Sequence, residues 1–194
     1  MGCDLVDGRR AAESLGSRGE IKVGTAEVMP LESASQRAVL LESVLEHVDS
    51  PAQALAEAYR VLVPGGVLYV YTTNRLRFSL RGENGEFNVP FFNWFPSLVR
   101  ESYVYKHLHF APALANYSLR PAVHWFTYAD LCRRGREVGF AQFYSLIDLV
   151  DAEAPSLKRG RFRRFLVQRC RHNPWLRALG LTQFGSAIFM YKRP

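Results

Sequence analysis

Residues 38–74 read AVLLESVLEHVDSPAQALAEAYRVLVPGGVLYVYTTN, and this stretch decides the fold. Residues 38–41 are a short apolar run, which is typical of a strand buried on both faces. Ser50 offers a side-chain oxygen as an N-cap, and Pro51 suits the first position of a helix. Residues 67–71 are β-branched and aromatic, so they predict a second strand. Strand, helix and strand in this order form one βαβ unit, which implies a parallel sheet with a right-handed crossover.

The helix of this unit is expected to bury one stripe of apolar side chains. The stripe follows helical spacing and consists of Ala52, Leu55, Ala56, Tyr59 and Leu62. The run Pro64, Gly65 and Gly66 is then expected to break the helix and turn the chain into the second strand.

The run VLEHVDSPAQALAEAYRVLVPGGVLYVYTTN resembles the middle of class I S-adenosylmethionine-dependent methyltransferases of the small-molecule type. That family has a strand ending near a VLEHV-like run, a helix ending in R-x-L-x-P-G-G, and a strand ending in a polar residue. The match is specific from Gly24 to Asn74. The resemblance implies an α/β fold, with a Rossmann-like, doubly wound and mostly parallel sheet and helices on both faces. It also implies S-adenosylmethionine as cofactor and methyl transfer to a small-molecule or lipid-like acceptor.

The family's first strand and its glycine-rich turn, D/E-x-G-x-G-x-G, have no counterpart in this sequence. In the family these glycines let the backbone approach the cofactor closely. Residues 3–6, 10–15 and 20–23 resemble the second strand, its helix and the third strand, so the first strand would lie before Met1. We therefore expect a sheet that lacks its first strand and binds the cofactor weakly. The chain is either a shortened product of a working enzyme or a degenerate relative that serves as a binding module.

Candidate cofactor contacts follow from the resemblance. Asp7 ends an apolar pair where the family's acidic residue binds the ribose hydroxyls; Asp4 is the alternative, and a surface-loop role is equally compatible. Thr25 and Ala26 stand in a turn similar to the family's G-D-A-E, where the Asp accepts from the adenine amino group. Glu42 follows the first strand of the βαβ unit, where it lines the cofactor side of the cleft or lies at the surface.

The run from Glu42 to His47 bears on metal and proton chemistry. Some relatives hold a magnesium or similar ion with an E-x-x-E-H run, but Ser43 occupies its first Glu position here. An offset of one residue points the Glu42 side chain elsewhere, so we expect no metal site. Glu46 and His47 are then polar residues at the mouth of the cleft, with His47 as the candidate catalytic acid–base group.

The rest of the chain divides one domain, 1–194, into three parts. Residues 1–74 form a partial cofactor-binding half, and residues 75–125 form an aromatic-rich, helical lid at the family's variable acceptor-side insertion. The aromatic residues suit a bulky acceptor, although ordinary packing explains most of them. Residues 126–194 are expected to hold a helix capped by Thr127 and ended by Gly139, a strand at 140–150 and a last, antiparallel strand at 184–191.

The composition is that of a globular chain, at 48% hydrophobic residues. No apolar run reaches the length of a membrane span. Three widely spaced cysteines argue against a disulfide framework or zinc site and favour a cytoplasmic protein. A nicotinamide dehydrogenase is disfavoured because the sequence has no G-x-G-x-x-G run, whereas its VLEHV and PGG runs favour methyl transfer.

The net charge of +7 is concentrated near the C-terminus. From Asp151 onward the chain carries ten Lys and Arg against two acidic residues. Residues 158–171 interleave basic residues with aromatic and apolar ones, which predicts an amphipathic helix that contacts an anionic membrane surface or an acidic substrate. A solvated basic helix face is the simplest interpretation, and no nucleic-acid-binding module accompanies the charge.

Overall fold

The computed structural model describes residues 2–4, 21–78, 89–108, 121–149 and 161–194. Within them the strands are β1 (Gly2–Asp4), β2 (Ile21–Val23), β3 (Gln36–Glu42), β4 (Leu62–Tyr71), β5 (Gln142–Ser145) and β6 (Ala187–Tyr191). The α-helices are α1 (Pro51–Val61), α2 (Ser97–Tyr103), α3 (Tyr128–Val138), α4 (Leu146–Leu149), α5 (Arg161–His172) and α6 (Pro174–Phe184). A 3-10 turn, Phe92–Trp94, precedes α2, and a π-helical segment, Val104–Leu108, follows it.

The strands form a mixed sheet in the order β3-β4-β6-β5 and a separate pair, β1-β2. β3 and β4 are parallel, as the βαβ unit predicted, and β6 runs antiparallel to both β4 and β5. The predicted α/β class and the antiparallel last strand are confirmed. Among the described strands, β1 and β2 pair only with each other, and β3 pairs only with β4.

Helix α1 begins as predicted, but its buried stripe differs from the expected one. The Ser50 hydroxyl accepts from the Gln53 amide at 3.3 Å, and Pro51 is the first helical residue. The buried positions are Pro51, Ala54, Leu55, Ala58 and Val61, whereas Ala52 and Ala56 are exposed. Because four residues of this helix are alanines, the sequence is compatible with either of two buried faces. The contacts of α1 with β4 and α3 determine which face is buried.

The Pro-Gly-Gly run lies inside β4 rather than in a separate turn. Gln36 pairs with Leu62 and Ala38 pairs with Val67, so β4 bulges between these two positions. Gly65 has a φ of 74°, which glycine adopts at no steric cost, and its N–H donates to the Arg193 carbonyl at 3.1 Å. The helix therefore ends at Val61, before this run, and the chain enters the sheet directly, without the predicted turn.

The predicted strand at residues 140–150 is wrong beyond Ser145. The Ser145 amide and hydroxyl both donate to Asp148 Oδ2 at 2.7 Å, and this arrangement caps the N-terminus of α4. The predicted last strand also starts too early, because Phe184 belongs to α6 and the strand begins at Ala187. The helix predicted at 128–138 is confirmed, with a capping box between Thr127 and Asp130 and Gly139 at a φ of 120°.

The core fills one face of the four-stranded sheet, beneath α1 and α3. Leu41, Val70 and Ile188 lie in register on that face and are buried. Gly135 of α3 allows close contact, since a Cβ there would lie 2.6 Å from Phe143 Cε1. The opposite face carries one cross-strand row, in which Leu40 and Tyr144 are exposed and Tyr69 and Phe189 are half-buried.

Candidate functional site

The candidate site lies at the carboxyl ends of β3 and β4. Because these strands are parallel, the loops that follow them leave the same edge of the sheet, where α/β proteins bind ligands. The Ser43 amide donates to the Tyr71 carbonyl at 2.8 Å and holds the two loops together where they begin. Asn74, which is buried after β4, donates to the carbonyls of Leu181 and Thr182 and connects this edge to α6.

Glu46 is a buried carboxyl at this edge, and its residue type and position in the sequence do not predict this burial. The Thr72 hydroxyl donates to Glu46 Oε2 at 2.6 Å, joining the loop after β3 to the end of β4. Burial raises the pKa of Glu46, and the hydrogen bond from Thr72 offsets only part of this effect. The Glu46 backbone carbonyl also accepts from the amides of Val123 and His124. A carboxyl in this environment is suited to holding a proton closer to neutral pH than an exposed one.

His47, the predicted acid–base residue, lies next to Glu46 and is half-buried. Its Nδ1 atom is buried and has no hydrogen-bond partner in the described part of the chain. Buried polar atoms are normally hydrogen-bonded, so an unpaired Nδ1 is unusual. Among the described residues, no hydrogen bond to this atom holds the His47 ring in place. His124 differs, because its Nε2 lies 2.9 Å from the Val48 carbonyl and its own carbonyl accepts from the Thr73 hydroxyl.

The turn at residues 24–28 contains two of the predicted cofactor contacts. Thr25 Oγ1 accepts from the Val28 amide at 3.1 Å, so the predicted acceptor is already partly engaged. Ala26 is half-buried and packs against the core. Glu27 Oε1 accepts from the Asp49 amide at 2.9 Å, and this bond connects the turn to the loop after β3. Gly24 permits the turn, because a Cβ there would lie 2.6 Å from Pro30 Cδ.

Of the other residues considered as cofactor contacts, the structure describes Glu42 and Asp4. Glu42 ends β3 opposite Tyr71 and is exposed, on the same face of the strand as Leu40. Asp4 ends β1 opposite Val23, and Asp7 lies outside the described residues. The sequence has no glycine-rich loop that would match the family's contact with the amino-acid side of S-adenosylmethionine. Among the described residues, no three His, Cys, Asp or Glu side chains come together as a metal site.

Residues 93–100, in the predicted lid, form a polar cluster that the sequence pattern did not predict. Asn93 is fully buried, and its amide nitrogen donates to the carbonyls of Asn74, Arg75 and Arg77, directly after β4. Arg100 is only 3% exposed; its Nη1 donates to the Asn93 carbonyl, and its guanidinium lies 4.5 Å from the Trp125 ring centroid. Burial, followed by the nearby charge of Arg75, lowers the pKa of Arg100 to about 10. The only sequence signal was a polar residue inside an aromatic-rich segment.

Helix α5 covers residues 161–171 of the predicted basic segment at 158–171, and α6 follows it. Asp148 of α4 binds α6 through a bidentate ion pair with Arg177, and Arg171 of α5 donates to the carbonyls of Ile147 and Asp148. On the outer side of α6, Trp175 is 84% exposed. In the part of the chain that the structure describes, no helix is both long and apolar enough to cross a membrane.

Part of the chain is similar in sequence to known proteins. Residues 1–70 match the family model of a methyltransferase domain. Over 62 residues, 32% of this chain, the sequence is 44% identical to a probable S-adenosylmethionine-dependent methyltransferase of Mycolicibacterium smegmatis. Over 60 residues, 31% of this chain, it is 48% identical to an uncharacterised transposon protein of Streptomyces fradiae. The matched segments are 24% and 17% of the lengths of these two relatives.

The fold is shared more widely than the sequence. A solved S-adenosylmethionine-dependent methyltransferase of Methanosarcina mazei aligns with 99% of this chain and 81% of its own, at 17% identity and a TM-score of 0.51. That likeness concerns the fold alone. The matches in sequence and the fold together confirm the resemblance to class I S-adenosylmethionine-dependent methyltransferases, a family whose members use S-adenosylmethionine as cofactor.

Proposed function

We propose that the protein transfers a methyl group from S-adenosylmethionine to a small-molecule or lipid-like acceptor. The observation that carries this proposal is the buried Glu46 carboxyl beside His47, at the carboxyl ends of two parallel strands in a chain whose first 70 residues match a methyltransferase model. Ligands of open α/β sheets bind at such strand ends. The aromatic residues of the lid suit the apolar part of an acceptor.

The chain's own residues have three tasks in this reaction. When bound, S-adenosylmethionine supplies a methyl group that is already activated on a sulfonium. Thr25 and Ala26 would contact its adenine, Asp7 would bind its ribose hydroxyls, and Glu42 would line the cofactor side of the cleft. Alignment of the acceptor in line with the methyl group accounts for most of the rate enhancement expected of such a site. The lid would exclude water from the acceptor.

His47 is the residue that we assign to proton uptake from the acceptor. Its Nδ1 atom, which has no hydrogen-bond partner among the described residues, supports this role. We expect His47→Gln to lower the rate of methyl transfer about 100-fold or more and to change cofactor affinity little. A variant with wild-type turnover would remove His47 from the mechanism.

Calorimetry with the 194-residue chain tests cofactor binding directly. We expect S-adenosylmethionine to bind weakly, with a dissociation constant above the micromolar range, because the sequence lacks the loop that cradles the amino-acid end. A micromolar or tighter constant would contradict the predicted importance of that loop. Transfer of a radiolabelled methyl group to extracted small molecules and lipids then tests catalysis. Binding without transfer to any fraction would favour the alternative function, a non-catalytic binding module.

A second candidate function, peripheral contact with an anionic membrane, is supported by the surface of α5 and α6. Trp175 and Leu179 are 84% and 66% exposed on α6, and Arg169 is exposed on α5. Exposed aromatic and apolar side chains beside basic ones suit the interface of an anionic bilayer. Each basic residue near such a surface contributes about 1 kcal/mol, and salt screens this contribution.

Vesicle sedimentation tests this contact. We expect binding to vesicles that contain anionic phosphatidylserine and little binding to phosphatidylcholine alone. Trp175→Ala should weaken the binding, whereas Trp94→Ala, at an exposed aromatic residue of the lid, serves as the matched control. Equal binding to both vesicles, or binding to neither, would leave α5 and α6 as a solvated basic surface.

A further inference from the structure

Three aromatic rings, those of Phe78, Phe91 and Trp94, form an exposed cluster that we call the aromatic platform. The rings contact one another pairwise, with centroids 5.7, 5.8 and 6.1 Å apart, and they are steeply tilted against each other. Their side chains are between 37% and 51% exposed. Contiguous apolar surface of this kind marks a place where a soluble protein binds a ligand or a partner.

The backbone of Phe91 is held in a strained conformation within the platform. Its φ of 56° lies in the left-handed region, which a bulky side chain adopts at an energetic cost. The Trp94 amide donates to the Phe91 carbonyl at 2.9 Å, so the 3-10 turn joins these two residues of the platform. Strain of this kind is concentrated at positions that bind ligands.

The platform is attached to the edge of the sheet that carries the candidate site. Asn93, which precedes Trp94, donates to the carbonyls of Arg75 and Arg77 at 2.7 and 2.9 Å. These two arginines come shortly after the carboxyl end of β4. A molecule that extends from the platform along the residues after β4 therefore approaches the site of the proposed methyl transfer.

Basic side chains accompany the platform. Arg75 is exposed, and Arg77, next to Phe78, is half-buried. The pKa of Arg100 is lowered mainly by burial and next by the charge of Arg75, with Glu101 offsetting part of this effect. The guanidinium of Arg75 therefore lies near the 3-10 turn and α2. An apolar surface beside two arginines complements a molecule that is apolar along its length and acidic at one end.

We propose that the aromatic platform binds the apolar chain of a single-chain amphiphile, whose carboxylate is bound by Arg75 and Arg77. This molecule is the methyl acceptor and carries, besides its carboxylate, the group that is methylated. The inference therefore rests on the proposed methyl transfer and narrows its lipid-like acceptor to an acidic one. Methylene groups that lie against the exposed rings leave water, which favours binding of the chain. Each guanidinium is planar and permanently charged, and it donates two parallel hydrogen bonds to a carboxylate.

Calorimetry on the full chain, without S-adenosylmethionine, tests this surface with four probes: decanoate, 1-decanol, decyltrimethylammonium and butanoate. We expect decanoate to bind at least about 10-fold more tightly than the neutral and the cationic ten-carbon probes, because only decanoate pairs with the arginines. Decanoate should also bind at least about 10-fold more tightly than butanoate, whose chain is shorter. Equal affinity for the three ten-carbon probes, equal affinity for the two acids, or no binding of decanoate would overturn the proposal.

Variants locate the binding at the proposed residues. Trp94→Ala should weaken the binding of decanoate at least about 5-fold, whereas Trp175→Ala, at an exposed ring of α6, should leave it unchanged and serves as the matched control. Arg75→Gln combined with Arg77→Gln should abolish the preference for decanoate over 1-decanol, and Arg133→Gln, at an exposed arginine of α3, should keep it. Unchanged affinity in the Trp94 variant, or an unchanged preference in the double arginine variant, would contradict the inference.

A bilayer and a second copy of the chain are the alternative occupants of the platform. The proposal expects Trp94→Ala to leave both vesicle binding and the mass of the protein in solution unchanged. Loss of binding to phosphatidylserine vesicles in this variant would assign the platform to a bilayer. A dimer in sedimentation equilibrium that Trp94→Ala converts to a monomer would assign it to a second copy. Either result would overturn the proposal.

The same measurements separate this inference from the proposed function. If S-adenosylmethionine binds and methyl groups reach an acceptor while decanoate does not bind, the amphiphile site is wrong and methyl transfer stands. If decanoate binds through Trp94 but S-adenosylmethionine does not bind, the amphiphile site stands and methyl transfer is wrong. If both bind and decanoate does not inhibit methyl transfer, the amphiphile is not the acceptor.

Discussion

Asp148 is the residue that joins the C-terminal helices to the sheet. It caps α4 through the amide and hydroxyl of Ser145 and forms a bidentate ion pair with Arg177 of α6. Burial raises the pKa of Asp148, but the hydrogen bonds from Arg177 and Ser145 together outweigh burial and hold it at about 2, below the ordinary value of 3.8. The ionised carboxylate therefore stabilises the folded state.

The depressed pKa predicts how stability depends on pH. We expect Asp148→Asn to lower the free energy of unfolding at pH 7 by about 1–2 kcal/mol, the lower part of the range for charged hydrogen bonds, because the side chain is 21% exposed. A depressed pKa contributes stability that is complete above pH 3.8 and is lost as the pH falls through about 2. Urea unfolding of both proteins between pH 7 and pH 2 measures the difference.

A matched control isolates the role of burial in this effect. Glu137→Gln removes an ion pair with Arg133 of similar length, 2.8 Å, in which both side chains are more than half exposed. We expect it to change stability by less than about 0.5 kcal/mol at any pH. A gap between wild type and Asp148→Asn that stays constant down to pH 2 would show that the carboxylate is not the source of the stability.

Individual site residues were only partly predictable from the sequence. His47 could be singled out because histidine is the residue type whose ordinary pKa lies nearest to neutral pH. The importance of Glu46 and Arg100 comes from burial, which depends on segments that lie far away in the sequence, such as residues 121–125 over Glu46. Residue type alone does not report that burial, since most glutamates and arginines are exposed.

Short helices and strands were also only partly predictable from the sequence. Thr127 and Asp130 form a capping box that the sequence made recognisable, because Thr precedes a clear helical stripe. Ser145 and Asp148 have the same spacing, but the apolar residues around them, Phe143 to Leu149, were equally compatible with one continuous strand. Long, periodic elements such as α1 and α3 were therefore predicted correctly, whereas the short helix α4 was not.

Strand β3 provides a matched pair of leucines for testing its orientation. Leu41 is 5% exposed on the face beneath α1, and Leu40 is 67% exposed on the opposite face. We expect Leu41→Ala to lower the free energy of unfolding by about 2–5 kcal/mol through loss of packing and a residual cavity. Leu40→Ala should change it by less than about 0.5 kcal/mol. Urea unfolding measures both, and comparable losses in the two variants would mean that the exposed face is covered in solution.

At the scale of the whole molecule, the described strands form a four-stranded sheet and a separate two-stranded piece. In the described residues β1 and β2 exchange hydrogen bonds only with each other, over three residue pairs, while β4 is paired along both edges. Local stability follows such pairing, and it ranges from near zero at loosely attached segments to the global value in central strands. The small sheet should therefore open independently of the large one.

Hydrogen exchange tests this division of the molecule. We expect backbone amides of Cys3 and Lys22 to exchange at least about 100-fold faster than those of Leu68 and Val70 in β4. Similar protection of all four amides would show that β1 and β2 are held by a partner strand in solution. In that case the sheet is continuous, and the prediction of a missing first strand fails.

The place of β6 between β4 and β5 has a consequence for biosynthesis. The ribosome delivers β4 and β5 long before it delivers β6, yet among the described strands β5 pairs only with β6. Among the described strands, β5 has no neighbour and β4 presents an open edge until Ala187–Tyr191 emerges. Nascent chains fold from the N-terminal side as they are made, but this sheet closes last at its centre. The growing chain therefore exposes an unpaired, apolar β4 edge for most of its synthesis, which is a natural site for chaperone binding.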